Sequence, residues 1–305
     1  MPLHITVIPA STKAGRETIR QLLASESRPI VHGIYRDPSK APSDFTQYAN
    51  FKATKGDVGT GDGLDFRSSN AVFYIPPPTY DGTDQGEWAT LTATNVKNAL
   101  QNAPSIKKLV LFSSVGAQHD HGTGIIRLNH ISDTILENAA PEVVVVRPGY
   151  FQEDWAAAIE AAVQSDPPVF HSWITPADHK VPIVSLQDIA RTCANCLLEK
   201  STKPKTYYIK LFGPRHYSSI DLKNAVEQAA GKKVELKLVE KDQLGAFFAQ
   251  QIPEAHVAEI VDLATSALPG GMLTGDFEYD ESTVRGEVEL ASTFSKLYAR
   301  VAGKK

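Results

Sequence analysis

Short apolar runs alternate with amphipathic stretches through the first half of the chain. Leu3–Ile8, Ile30–Tyr35, Phe51–Lys55, Ala71–Ile75, Lys108–Phe112 and Val143–Val146 are rich in β-branched and aromatic residues and read as strands. Arg16–Ala24, with Thr18, Ile19, Leu22 and Leu23 at helical spacing, reads as a helix, as do Trp88–Asn102 and Ile125–Asn138. Continuously apolar strands separated by helices are the pattern of a parallel sheet covered on both faces. The expected fold is therefore α/β, a Rossmann-like doubly wound parallel sheet.

The pattern loosens after residue 150. Asp154–Gln164 reads as a helix broken by Asp166-Pro167-Pro168, Val181–Val184 as a strand, and Ser185 or Asp188 as the start of a helix through Leu198. Tyr207–Leu211 and Val234–Val239 read as strands, and Ser219–Ala230 as an amphipathic helix stopped by Gly231. Lys241–Gln251 and Ala255–Ala264 predict helices of a smaller α+β lobe. The division expected is a dinucleotide-binding core over 1–150 and a substrate-binding lobe over 151–305, with segments of the lobe returning to the core.

Composition narrows the function classes. The 305 residues are 42% hydrophobic and 22% charged, with a formal net charge of −4, an ordinary globular balance that argues against general nucleic-acid binding. The one basic run is Gly303-Lys304-Lys305. No run of about 18 apolar residues suggests a membrane span, and the opening residues lack a secretory pattern. A cytoplasmic protein with a small-molecule partner is expected, with a homo-oligomer left open. Cys193 and Cys196 form a CxxC pair without a second pair or nearby histidines, so packed thiols are expected rather than zinc. Asp276, Glu278 and Asp280 read as a solvated acidic face, and no metal site is expected.

The segment after the first strand, Pro9-Ala10-Ser11-Thr12-Lys13-Ala14-Gly15, occupies the place of a dinucleotide-binding turn. Glycines are expected at 9, 12 and 15, and only Gly15 is present. Pro9 fixes φ and removes an N–H, and Thr12 adds a Cβ where phosphate approaches. The start of the following helix still offers a positive dipole end, and the hydroxyls of Ser11 and Thr12 offer donors.

Several further pieces carry a family resemblance. They are Tyr35-Arg36-Asp37-Pro38 after the second strand, Gly56-Asp57 after the third, and Phe112-Ser113-Ser114-Val115-Gly116-Ala117 after the fifth. Val146-Arg147-Pro148-Gly149-Tyr150-Phe151 follows, then Val181-Pro182-Ile183 leading to Asp188-Ile189-Ala190. In this order and spacing the chain resembles the NmrA-like branch of the atypical short-chain dehydrogenase/reductases, over most of its length. The resemblance implies a Rossmann core with a small C-terminal lobe, NADP(H) as cofactor, and either reductase or redox-sensing activity. Many such proteins serve fungal natural-product pathways.

Arg36 at the end of the second strand favours NADP over NAD, because a 2′-phosphate needs positive charge where a bare ribose prefers a carboxylate. Lys13 can add a second charge. By the resemblance, Ala10, Ser11, Thr12 and Gly15 carry the diphosphate, Asp57 and Val58 flank the adenine, and Ile75 and Pro76 pass the ribose. Ser113 and Ser114 lie toward the nicotinamide, and Pro148, Gly149, Tyr150 and Phe151 close over it.

Short-chain reductases ordinarily pair a tyrosine acid with a lysine four residues later. Here Ile125 falls at the tyrosine and Asn129 at the lysine, with Asp133 at the acid that NmrA-like enzymes often keep four residues on. Both members of the standard pair are missing. His119, His121, His130 and Tyr150 are the substitute candidates for proton transfer or substrate contact. Trp155, Phe170 and Trp173 are expected as packing or pocket walls. The leading expectation is an NADP(H)-dependent oxidoreductase reducing a carbonyl, imine or conjugated double bond of a bulky apolar molecule. A non-redox cyclase or isomerase and a non-catalytic NADP(H)-sensing regulator are the alternatives.

Overall fold

The computed structural model describes residues 2–200 and 206–303, so Lys304 and Lys305 of the basic run lie outside the described residues. Chain order begins with β1 (His4–Ile8), α1 (Lys13–Ala24), β2 (Ile30–Tyr35), α2 (Ser43–Thr46), β3 (Phe51–Lys55) and β4 (Ala71–Tyr74). It continues with α3 (Gln85–Gln101), β5 (Lys108–Phe112), α4 (Arg127–Leu136), β6 (Glu142–Pro148), β7 (Tyr150–Phe151) and α5 (Ala156–Gln164). Then come β8 (Val169–Ser172), β9 (Lys180–Val184), α6 (Leu186–Leu198), β10 (Thr206–Phe212), β11 (His216–Ser218) and α7 (Ser219–Ala230). The last elements are β12 (Glu235–Leu238), α8 (Leu244–Phe248), α9 (Val257–Ser266), β13 (Thr283–Arg285) and α10 (Leu290–Ala302).

Two compact units result. The first comprises Met1–Asp120, Ile126–Arg147 and Ile189–Ile209, and the second comprises His121–Ile125, Pro148–Asp188 and Lys210–Lys305. The main sheet has eight strands in the order β13-β10-β6-β5-β4-β1-β2-β3. Its β3-β2-β1-β4-β5-β6 stretch is the doubly wound order of dinucleotide folds. Every ladder with a described register in this sheet is parallel. The α/β Rossmann-like fold read from the sequence is the fold observed.

The physical cause is visible in β1, β4, β5 and β6. Val7, Val72, Leu109, Leu111, Val143 and Val145 have no exposed surface. Val72, Leu109, Leu111, Val143 and Val145 join Ala93, Val96 and Leu100 of α3 in one apolar cluster. Each such side chain contributes roughly 1.5–3 kcal/mol when fully buried. Burial on both faces explains why these strands lack alternation.

In the second unit, β9 is flanked by β11 and β7, while β12 pairs with β8. Helix α7 is bounded on both sides by its own sequence. Ser218 and Asp221 form a reciprocal capping box, and Gly231 takes the left-handed conformation at φ 67°. A smaller cluster of Val239, Leu244 and Ala264 packs with Trp173, Phe247 and Phe248.

Candidate active site

The turn after β1 closes on itself through Thr12. Its hydroxyl accepts from the Gly15 amide at 3.0 Å and donates to the Pro9 carbonyl at 3.1 Å. Thr12 is thus the N-cap of α1, with extended backbone. The hydroxyl expected to help a phosphate is engaged in capping, and it takes up the Gly15 amide. Gly15 is required for contact reasons: a Cβ there would lie 2.7 Å from Thr12 Oγ1 and 2.8 Å from the Pro9 carbonyl oxygen. Ala10 is fully buried, with its amide bonded to the Ile34 carbonyl at 2.9 Å. Ser11 and Lys13 are exposed.

Beside this turn is a cleft of about 520 Å³ lined by Ser11, Thr12, Arg36, Asp57, Val58 and the segment Pro77–Asp81. It lies at the carboxyl ends of parallel strands, where α/β folds take ligands. Arg36 is exposed, and among the described residues its side chain has no hydrogen bond or ion pair. The wall opposite is fixed by backbone contacts. Asp57 Oδ1 accepts from the Gly59 amide at 2.8 Å, and Asn95 Nδ2 donates to the carbonyls of Val58 and Gly59 at 2.9 and 3.1 Å. Trp88 Nε1 holds the Pro77 carbonyl at 2.9 Å. Ile75 and Pro76 are buried, and it is Pro77–Asp81 that line the cleft. Sequence reading missed this segment, although its Pro-Pro-Pro run marks an extended stretch directly after β4.

The end of β5 places Ser113 against α4 and β6. Ser113 Oγ donates to Asp133 Oδ2 at 2.9 Å, and Arg147 Nη2 donates to the same oxygen at 2.9 Å. Burial pushes the Asp133 carboxyl above the usual carboxylate range, against the opposing pull of Arg147 and Ser113. Ser114 is turned away, with its hydroxyl donating to the Val115 carbonyl at 3.0 Å. His130 lies on α4 with Nδ1 3.0 Å from the Ala117 carbonyl, and Asn129 beside it is half-buried. His119 is half-buried in the first unit, whereas the exposed His121 belongs to the second. Ser113 and Asp133 are therefore brought together.

The second unit holds Pro148, Gly149, Tyr150 and Phe151. A Cβ on Gly149 would come within 2.5 Å of the Pro182 carbonyl oxygen, so only glycine fits this strand crossing. Tyr150 on β7 pairs with Ile183 of β9. Its ring meets Trp155 and Trp173 edge-on at 6.5 and 5.2 Å, and the two indoles stack at 6.4 Å with an 18° interplanar angle. With Phe247 and Phe248 of α8 they line a cavity of about 220 Å³. The Tyr150 hydroxyl donates to the Leu263 carbonyl at 3.3 Å, and burial holds its pKa well above the ordinary tyrosine value. Phe247 and Phe248 were not singled out from the sequence; an adjacent aromatic pair in a short helix was the available signal.

Cys193 and Cys196 are both buried, and burial pushes the Cys193 thiol pKa up. Asp280 is paired with Lys210 at 2.6 Å. Among the described residues no cluster suited to a metal ion occurs, and no helix is long and apolar enough to cross a membrane.

No family model matches the chain, and no curated protein matches it. Solved structures do. An NADPH-dependent quinone oxidoreductase from Escherichia coli, complexed with NADPH, superposes with a TM-score of 0.76 at 19% identity, covering 97% of this chain and 100% of the other. The triphenylmethane reductase of Citrobacter sp., complexed with NADP(H), gives 0.70 at 17% identity over 99% and 100%. A nucleoside-diphosphate-sugar epimerase from Staphylococcus aureus gives 0.74 at 14% identity over 97% and 100%. At these identities the likeness shows a shared fold.

Proposed function

We propose that this protein is an NADP(H)-dependent oxidoreductase of the NmrA-like type, acting on a bulky, largely apolar small molecule of secondary metabolism. The observation that carries the reading is Arg36, an unpaired guanidinium on the rim of a cleft at the carboxyl ends of the strands. Its planar fork suits the oxygens of an adenosine 2′-phosphate and stacks on adenine. Two neighbours of the same fold are complexes with NADPH or NADP(H), which supports the choice of nucleotide.

The residues present fit such a group at its adenosine end. Arg36 would take the 2′-phosphate, Asp57 and Val58 would flank the adenine, and Ser11 with the N-terminus of α1 would meet the diphosphate. A reduced nicotinamide supplies hydride when bound. Within the first unit Asp133 accepts from both Ser113 and Arg147 and so fixes the Ser113 hydroxyl; the second unit, taken by itself, offers an aromatic cavity suited to an apolar body.

A second reading, a cyclase or isomerase without net redox change, is favoured by one observation. The position of the usual acid is Ile125, and the Tyr150 hydroxyl is already committed to a backbone carbonyl. Such an enzyme would work by orientation alone.

Titration with NADPH and NADH, followed by nicotinamide fluorescence, tests the first reading. NADPH should bind more tightly, and Arg36→Ala should weaken it by roughly 10- to 100-fold, the loss expected for a charge-assisted contact. Absence of binding at millimolar nucleotide, or an Arg36→Ala titration identical to wild type, overturns it. Deuterated NADPH separates the readings: label in the product marks hydride transfer, and a correct product without label marks the non-redox reaction.

A further inference from the structure

The cavity of the second unit has a one-sided electrostatic lining. Tyr150, Trp155, Trp173, Phe247 and Phe248 supply five aromatic rings, and Asp154 is the one formally charged side chain of the lining besides the titratable His171. No lysine or arginine lines it among the described residues. Aromatic faces carry negative charge density and attract cations. The Tyr150 hydroxyl gives its proton to the Leu263 carbonyl at 3.3 Å, so it meets the cavity as an acceptor. An anionic ligand would face a carboxylate and π clouds, with no lysine or arginine among the described lining residues. The nearly parallel planes of Trp155 and Trp173 also favour a flat occupant.

We propose that this cavity selects a flat organic cation, an iminium or N-alkylated heteroaromatic on an apolar body, with Asp154 as counter-charge and Trp173 as a cation–π wall. As a statement about substrate, this rests on the oxidoreductase reading. Hydride added to a C=N⁺ carbon forms the new C–H bond and sends the π pair onto nitrogen. The product is a neutral amine, the nicotinamide is oxidised, and no proton is supplied. A site without the tyrosine acid suffices for that electrophile. As a statement about binding, the proposal is independent of nucleotide.

The test compares N-methylquinolinium with its uncharged isostere 1-methylnaphthalene, titrated into the full-length protein by tryptophan quenching without nucleotide. The cation should bind about tenfold more tightly, within the range of a desolvated cation–π contact. Asp154→Asn should reduce that preference severalfold while leaving 1-methylnaphthalene affinity nearly unchanged, and Trp173→Leu should weaken both probes but the cation severalfold more, since it removes stacking area for both and the cation–π wall for one. Circular dichroism confirms that each variant is folded, and the conservative Trp173→Phe should keep part of the preference. Equal affinity for the two probes, or a preference unmoved by both Asp154→Asn and Trp173→Leu, overturns the proposal. Either result leaves NADPH binding through Arg36 standing, so the two readings fail separately.

Discussion

Arg147 and Asp133 form an ion pair nearly sealed from water. Nη2 lies 2.9 Å from Oδ2, and the side chains are 14% and 7% exposed. The guanidinium also sits 4.3 Å from the centre of the Tyr208 ring, and Gln118 accepts a further bond at 3.3 Å. Asp133 Oδ1 has no partner among the described residues. The pair holds the Ser113 hydroxyl at the end of β5, so a stability device and a candidate site share one oxygen atom.

Removing the cation alone exposes the cost of the buried carboxylate. Arg147→Met should destabilise the fold by about 3–5 kcal/mol at neutral pH. The sign of the pH dependence follows from Asp133, whose carboxyl is raised by burial. The folded state then holds its proton more readily than the unfolded state, so stability falls as pH rises through the folded-state pKa. Without Arg147 the carboxyl rises further, and the deficit of the variant should shrink in mild acid. Urea unfolding at pH 5 and pH 8 checks this; a deficit that grows in acid would contradict it.

The capped turn yields an unusual expectation. Thr12→Gly restores a fingerprint glycine and releases the Gly15 amide from Thr12 Oγ1. The lost cap costs on the order of a few tenths of a kcal/mol when glycine replaces threonine. The freed amide and the missing Cβ should tighten NADPH binding by about tenfold, a single charge-assisted hydrogen bond. Thermal melts and nucleotide titration on the same preparation test both halves. Weaker NADPH binding by a folded Thr12→Gly protein would show that the turn is not the diphosphate cradle.

The sheet was legible because its strands are buried on both faces, so apolar runs such as Lys108–Phe112 stand out against their surroundings. Boundaries moved where polar residues begin a helix. α3 starts at Gln85, capped by Asp84, three residues before the apolar run suggests. Strands β7, β8, β11 and β13 were missed; β13, Thr283–Arg285, is short and largely exposed, which leaves it no pattern. Helix α10 was missed although Leu290, Phe294 and Leu297 recur at helical spacing and are buried. At the candidate site, residue types were readable and their commitments were not. Thr12 directly before a helix is a cap signal that competes with its reading as a phosphate donor, whereas nothing in the sequence marks Ser114 as turned to backbone or Ile75 and Pro76 as buried. Those facts depend on which carbonyl or wall the fold brings near.

His216 provides a pH signature for the second unit. Its ring stacks on Tyr279 at 4.8 Å with a 15° interplanar angle, and Nε2 is buried without a partner among the described residues. Burial, followed by the charges of Arg285 and Lys180, pushes its pKa down to about 4. The ordinary value, retained in the unfolded chain, is 6.5. Between those values the unfolded state binds the proton and the folded state refuses it. Stability should therefore be at its full level above pH 6.5, decline as pH falls toward 4, and level off below the folded pKa. His216→Phe keeps an aromatic ring on Tyr279 and cannot titrate. Its melting temperature should change less than that of wild type between pH 7 and pH 5. Parallel slopes in the two proteins would mean that His216 binds its proton equally well folded and unfolded, which its packing against Tyr279 and the nearby cations argues against.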